Sequence, residues 1–271
     1  MRARPRRLVL LGHPVAHSRS PRMQNAALRA AGIPLVYEAL DVPPAGLDAA
    51  LDALIAEGAA GNVTSPHKMH VAQRCDVRLP SAERTGAVNT FWTADGALIG
   101  DNTDVEGFDA AVQHLLGTLP TDIDVGVFGA GGAAAGVLAA IERWGRCRVR
   151  VYNRTAARAE ALARRFPTVA TAVSSPGQTL AGAALAVNAT PRGLYDDALA
   201  FPIELLDPRA IVVDLAYRRD DTALVRAARA QGHAAADGHA MLVGQGARAF
   251  ECWFGVAPDR GVMWEALRQT D

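Results

Sequence analysis

The chain has no long apolar run, no paired cysteines, no net charge and almost no lysine. Near the N-terminus only residues 8–11 are continuously apolar before Gly12-His13-Pro14, too few for a signal-peptide core or a membrane span. Arg2, Arg4, Arg6 and Arg7 therefore read as the flank of a first strand, not as a targeting peptide or a basic arm. Cys75, Cys147 and Cys252 are odd in number, far apart and without a C-x-x-C pair. This argues against a disulfide framework or a zinc knuckle and fits a reducing cytoplasm. Basic and acidic residues both number 28, so no overall basic field exists to hold nucleic acid. Repeats and low-complexity segments are absent, and 271 residues suffice for two ordinary domains.

What is present is organised around Val125-Gly126-Val127-Phe128-Gly129-Ala130-Gly131-Gly132-Ala133-Ala134-Ala135. An apolar run that breaks into glycines and then alanines reads as strand, tight turn and helix start. Its spacing, Gly-x-Gly-x-x-Ala, is a relaxed dinucleotide fingerprint, with helix-start N–H groups facing a pyrophosphate. A glycine-rich turn of a doubly wound sheet without nucleotide has the same local pattern.

Before this stretch, residues 7–11 form a strand, and a loop then leads to Ser20-Pro21, a good N-cap with proline at the first helical position. Ser18 and Ser20 make a candidate carboxylate cradle beside that helix. His13 and His17 have a proline between them and no third ligand, so no metal site is expected. Residues 35–40 read as a strand, and Leu47, Leu51, Leu54 and Ile55 mark an amphipathic helix. Asn62-Val63-Thr64-Ser65-Pro66-His67-Lys68 then places polar groups at a strand's carboxyl edge, where open α/β sheets bind ligands. Lys68 is the only lysine, the other 27 basic residues being arginine, so a drift toward arginine spared this one position. An amine can give or take a proton where a guanidinium cannot, which makes Lys68 a candidate catalytic group. His67 and His70 read as exposed helix-start residues.

Residues 89–99 form a hairpin turning at Ala94-Asp95-Gly96. Asp101 and Asp104 admit two readings, a carboxylate pair for acid/base work, or a turn and a helix cap at Thr103 or Asp104. An Asp here can pair with Lys68. Residues 119–122 read as a domain boundary. Beyond the glycine loop, residues 147–152 form the next strand and lead into Asn153-Arg154-Thr155. Arg154 lies 25 positions after Gly129, where an NAD site would carry an acid; with Arg158 one helical turn on, it favours the 2′-phosphate of NADP. Strands at residues 184–187 and 211–214 end in Asn188-Ala189-Thr190 and Asp214-Leu215-Ala216-Tyr217, again polar sheet edges. Gln245 reads as first-turn in a helix opening from residues 238–241.

Six motifs in order, Gly12-x-Pro14-x-x-His17-Ser18-x-Ser20-Pro21, Asn62-Val63-Thr64-x-Pro66-x-Lys68, Gly86-Ala87-Val88-Asn89-Thr90, Asn102-Thr103-Asp104-x-x-Gly107-Phe108, the Gly129 loop with Asn153-Arg154-Thr155, and Met241-Leu242-x-x-Gln245, span nearly the whole chain. In these the chain resembles the shikimate dehydrogenase family, which reduces 3-dehydroshikimate to shikimate with NADPH in aromatic amino-acid biosynthesis. The resemblance implies a two-domain α/β fold. Residues 1–103 and 238–271 would form the substrate domain and 104–237 a Rossmann-type cofactor domain, with the site in the cleft. It also implies a cytoplasmic enzyme, monomeric or homodimeric, without nucleic-acid or membrane partners.

Residue by residue, the resemblance implies Lys68 and Asp104 as the catalytic pair. Ser18 and Ser20 would hold the substrate carboxylate with Tyr217 near it, and Asn62, Thr64, Asn89, Asp104 and Gln245 would bind ring hydroxyls. The cofactor set would be Gly129, Ala130, Gly131, Gly132, Ala133, Asn153, Arg154, Thr155, Arg158, Thr190, Gly238 and Met241. Three positions depart from the family pattern: Gln24 for the usual His, Arg219 for Pro and Gly246 for Ala. They leave quinate and aminated analogues open as substrates, although a quinate enzyme commonly has Thr for one serine and an acid in the ribose loop, and this chain has neither. Two other readings stand beside these, a folate-type NADP dehydrogenase, which would need more aromatic surface than Tyr37, Phe91 and Trp92 offer, and a non-catalytic NADP sensor, which should have lost Lys68 or Asp104.

Overall fold

The computed structural model describes residues 4–269, so Arg2 lies outside the described part. In chain order the regular elements begin with β1 (Arg7–Gly12), α1 (Ser20–Ala30), β2 (Tyr37–Asp41), α2 (Leu47–Ala56), β3 (Ala59–Val63) and α3 (Lys68–Arg74). They continue with β4 (Val77–Arg78), α4 (Pro80–Thr85), β5 (Thr90–Ala94), β6 (Ala97–Asp101) and α5 (Asp104–Leu116). The second half runs β7 (Asp124–Phe128), α6 (Gly132–Trp144), β8 (Arg148–Tyr152), α7 (Ala156–Arg165), β9 (Ala170–Ala172), α8 (Pro176–Leu180) and β10 (Leu185–Asn188). Last come β11 (Ile211–Asp214), α9 (Ala223–Ala230), β12 (Ala235–Ala236), α10 (His239–Phe254) and α11 (Arg260–Arg268).

Two compact units result, one from the chain up to Gly107 with the chain from Leu242, the other Phe108–Met241. The divisions fall inside α5 and α10. Residues 119–122 are therefore the α5–β7 connection within the second unit, not a boundary.

The first unit holds a mixed sheet in the order β2-β1-β3-β5-β6-β4. After Arg7, β1 carries no polar side chain and is buried, as a parallel strand covered on both faces must be. Its parallel neighbour β3 starts an antiparallel run through β5 and β6, whose register sets Asn62, Thr90 and Asp101 side by side. Leu47, Leu51 and Leu54, one face of α2, close a core with Val9, Leu11, Val63 and Phe91. Arg7, the first residue of β1, pairs with Glu38 and Glu57.

Two expectations about caps and exposure are corrected. Ser20 is the first helical residue, not the cap: the cap position is Arg19, whose side chain makes no cap bond. A turn closed by the Ser18 N–H to Val15 O at 2.9 Å brings the Ser18 hydroxyl to accept the Ser20 N–H at 3.3 Å. His67 is buried, because its ring donates to Val42 O at 2.7 Å. His70 is exposed, paired with Asp48 at 2.9 Å.

The second unit is a wholly parallel sheet in the order β12-β11-β10-β7-β8-β9. The chain winds outward from β7 through β8 to β9, then returns to β10 on the other side and winds outward again. The strand order reverses between β7 and β10, the crevice where doubly wound sheets bind ligands. Val137, Leu138, Ile141 and Trp144 are the buried face of α6, and Phe128, Phe201, Val212 and Leu224 anchor a core. The two-sheet α/β architecture is the fold class expected from the sequence.

Candidate active site

In the first unit, two polar side chains from separate parts of the chain converge on one carboxylate. Lys68, at the start of α3, donates from Nζ to Asp104 Oδ2 at 2.6 Å, with side-chain exposures of only 16% and 6%. Asn89 Nδ2 donates to the other oxygen, Asp104 Oδ1, at 2.8 Å, and reaches Gln245 Oε1 at 3.5 Å. The Asn89 orientation is dictated by the backbone, since its Oδ1 accepts the Thr103 N–H at 2.7 Å together with the hydroxyls of Thr90 and Thr103. Behind it, Asn62 Nδ2 donates to Thr90 Oγ1 and Asn89 O, and Asn62 Oδ1 accepts from Tyr37 OH at 2.8 Å. That oxygen keeps one lone pair.

Of the two readings left open at Asp101 and Asp104, the structure separates the residues. Asp101 accepts from the Ser81 hydroxyl and the Asn102 N–H and ties a turn, while Asp104 holds Lys68. Thr64 follows the end of β3, beside Gly12 at the end of β1, with Thr64 N–H bonded to Leu11 O at 2.8 Å. Ser18 and Ser20 follow from that same end of β1. Burial holds the nearby His17 imidazole below its usual pKa. Gln245 lies in the second turn of α10, not the first, because Asp237 accepts the His239 N–H and starts the helix there. No group of three or more His, Cys, Asp or Glu among the described residues could hold a metal.

In the second unit, the glycine loop lies at the reversal of strand order. Gly129 has φ 111°, and a Cβ there would stand 2.7 Å from Ala189 O, so only glycine fits. Gly131 precedes α6 without any side-chain cap, which leaves the first-turn N–H groups open to a ligand anion. Asn153 Nδ2 donates to Thr155 O at 3.0 Å and shapes the next loop. Arg154 and Arg158 are exposed there, and neither forms an ion pair among the described residues.

Thr190 is held by Asn188, whose Oδ1 accepts its N–H at 3.0 Å and its hydroxyl at 2.6 Å. Asn188 Nδ2 donates to Asp214 Oδ1 at 2.8 Å, joining the loops after β10 and β11. Burial pushes the Asp214 carboxyl above its usual pKa, although Thr222, the Ala216 N–H and Asn188 all donate to it. Gly238 passes so close to Leu215 that a Cβ would stand 2.3 Å from its carbonyl oxygen. Met241 is buried. Tyr217 packs on His239, ring centroids 5.6 Å apart, and the His239 ring donates to Asp237.

Residues 10–91 match the family description "Shikimate dehydrogenase substrate binding domain" and residues 238–268 match "Shikimate 5'-dehydrogenase C-terminal domain". A shikimate dehydrogenase (NADP(+)) of Rubrobacter xylanophilus is 46% identical over 268 residues, covering 95% of this chain and 94% of its own. The chain belongs to the shikimate dehydrogenase family. Within the family, shikimate 5-dehydrogenase from Thermus thermophilus, solved in complex with NADP(H) and shikimate, is 40% identical with a TM-score of 0.87, over 97% of this chain and 98% of that one. Quinate dehydrogenase from Corynebacterium glutamicum, solved in complex with NAD, reaches the same TM-score at 32% identity, over 97% and 98%.

Sequence reasoning put the family's motifs in order but missed what joins them. Tyr37 bears no motif, yet its hydroxyl supports Asn62. Thr90 lies inside a motif without an assigned role and Thr103 reads from sequence only as a helix cap, yet both donate to the amide oxygen of Asn89. The only available signal was strand register, which places residues about 30 positions apart side by side and leaves no periodic trace.

Proposed function

We propose that the chain reversibly reduces 3-dehydroshikimate to shikimate with NADPH. The first unit holds the substrate and Phe108–Met241 holds the cofactor. The observation that carries this reading is the chain's only lysine, mostly buried and 2.6 Å from Asp104. The cofactor loops fit NADP: Gly129, Gly131 and Gly132 open α6 for a pyrophosphate, and Arg154 and Arg158 stand where a 2′-phosphate needs cations and no acid intervenes. Bound NADPH supplies a hydride to the substrate carbonyl carbon.

The chain's own groups supply the rest. As carbonyl becomes alcohol, the oxygen must gain a proton, and Lys68 Nζ donates it; in the reverse direction the amine takes it back. Asp104 holds Nζ in place, and Asn89, itself fixed by the Thr103 N–H, holds Asp104. Asn62, Thr64, Asn89 and Gln245 bind ring hydroxyls, and Ser18 and Ser20 the carboxylate. Such acid/base help is worth about a hundred- to ten-thousandfold in rate. Shikimate is favoured over quinate by Ser18 and Ser20, and NADP over NAD by Arg154.

The test is spectrophotometric turnover with shikimate and quinate in parallel, each with NADP and NAD, for the wild type and Lys68→Ala. Shikimate with NADP should be fastest, and Lys68→Ala should keep calorimetric binding of both ligands while losing most of kcat. Preference for quinate with NAD would assign the chain to the quinate relatives. No turnover with any pair, or a near wild-type rate in Lys68→Ala, would remove the catalytic reading.

A further inference from the structure

Residues 85–89, the turn after α4, hold both members of the catalytic pair. The Val88 N–H donates to Lys68 O at 2.9 Å, and Asn89 Nδ2 donates to Asp104 Oδ1 at 2.8 Å. A third tie runs through Asn102, a residue that the proposed reaction does not use. Its Nδ2 donates to Ala87 O and to Thr85 Oγ1, both at 2.9 Å, and its Oδ1 accepts the Asp104 N–H at 3.1 Å.

The amide has only one satisfying orientation. Ala87 O can only accept and the Asp104 N–H can only donate, so a flipped Asn102 would face a like group at both ends. Asn102 is fully buried and Thr85 nearly so, and no solvent replaces a lost bond. Thr85 is locked in turn, its hydroxyl donating to Ser81 O at 2.7 Å and accepting the Ala87 N–H at 3.3 Å.

We infer that Asn102, oriented by Thr85, is a positioning residue for the proton-transfer pair. It sets the start of α5 against the 85–89 turn, so that the Asp104 carboxylate meets a Lys68 whose backbone is anchored to the same turn. Asn89 alone aligns one carboxylate oxygen; Asn102 fixes the Cα from which the carboxylate hangs. A misplacement near 1 Å at a reacting group costs about a hundredfold in rate. This inference rests on the proposed catalytic role of Lys68 and Asp104.

The single lysine supplies a readout apart from activity. Protein carrying ¹⁵N-lysine and a lysine-free tag gives one side-chain ammonium signal, slowed in exchange by Asp104. Asp104→Asn sets the reference for its loss. Asn102→Ala should reproduce that loss and lower kcat about 10- to 100-fold with KM for shikimate within about threefold. Thr85→Val should act in the same direction, and Thr85→Ser, which restores the hydroxyl, should recover both readouts. If Asn102→Ala fails to fold, the Thr85 pair decides. A folded Asn102→Ala, or Thr85→Val in its place, that keeps the ammonium signal and kcat within about twofold overturns the inference. Should the wild type turn over neither shikimate nor quinate, the functional reading fails, while the ammonium signal still decides the positioning role.

Discussion

The ion pair of Lys68 and Asp104 has a measurable energetic signature. Removing one partner of a buried pair costs about 3–5 kcal/mol, because the survivor is left charged and poorly solvated. The two survivors are not equally placed: the Lys68 side chain is 16% exposed and the Asp104 side chain 6%. Asp104→Asn leaves an ammonium that still reaches water and should cost about 3 kcal/mol. Lys68→Met leaves a carboxylate whose remaining side-chain donor is Asn89, and should cost about 5 kcal/mol. The double variant removes both charges, so its loss should fall short of the sum by about 2–3 kcal/mol. Urea unfolding of the four proteins at neutral pH measures the coupling, and kcat of the double variant should be no lower than that of the slower single one, since the pair acts as a unit. Additivity within about 0.5 kcal/mol, or a greater cost for Asp104→Asn than for Lys68→Met, would refute the buried pair.

Gly129→Ala combines a positive φ with a Cβ 2.7 Å from Ala189 O and 2.9 Å from its carbonyl carbon, backbone atoms that cannot swing aside. It should destabilise by about 2–4 kcal/mol and weaken NADP binding at least about tenfold in calorimetry; an unchanged Kd would dissociate the loop from the cofactor. Asp214 binds its proton more tightly folded than unfolded, so its contribution to stability is greatest at low pH and declines as pH rises from 3.8 through the higher folded value. Asp214→Asn should flatten the fall of Tm across that window, and a parallel profile would exclude Asp214 as its source. The Cys75 thiol is pushed up to about 11 by burial, and all three cysteines are buried. A thiol reagent at pH 8 should therefore label none in the native protein and three in urea, and fast native labelling would contradict that packing.

The elements that announce themselves by spacing, such as the leucine face of α2 and the buried face of α6, were legible, as was the glycine turn after β7. So was the pairing of Lys68 with Asp104, which the sequence allows and the structure shows. Caps and helix starts were harder. Ser20 has the chemistry of a cap, but the Ser18 hydroxyl reaches its N–H first, and Asp237 begins α10 earlier than the apolar pattern does. His67 is polar and stands at a helix start, yet one carbonyl, Val42 O, draws it into the interior. The network around Asn89 was illegible because it depends on the register of β3, β5 and β6, a tertiary fact with no local propensity behind it.

The division of the chain within α5 and α10 has a consequence for synthesis. A ribosome releases the N-terminal residues first, and the second unit is a continuous stretch that can complete its own sheet as soon as Met241 has emerged. The first unit must wait. The Gln24 side chain has no Gly246 carbonyl to bond, Phe91 O lacks the Trp253 indole, and Arg19 lacks Leu267 O until the final helices leave the exit tunnel. A transcript broken after the codon for Met241 therefore yields a finished second unit attached to an open, unsealed sheet, a natural substrate for chaperones and proteases.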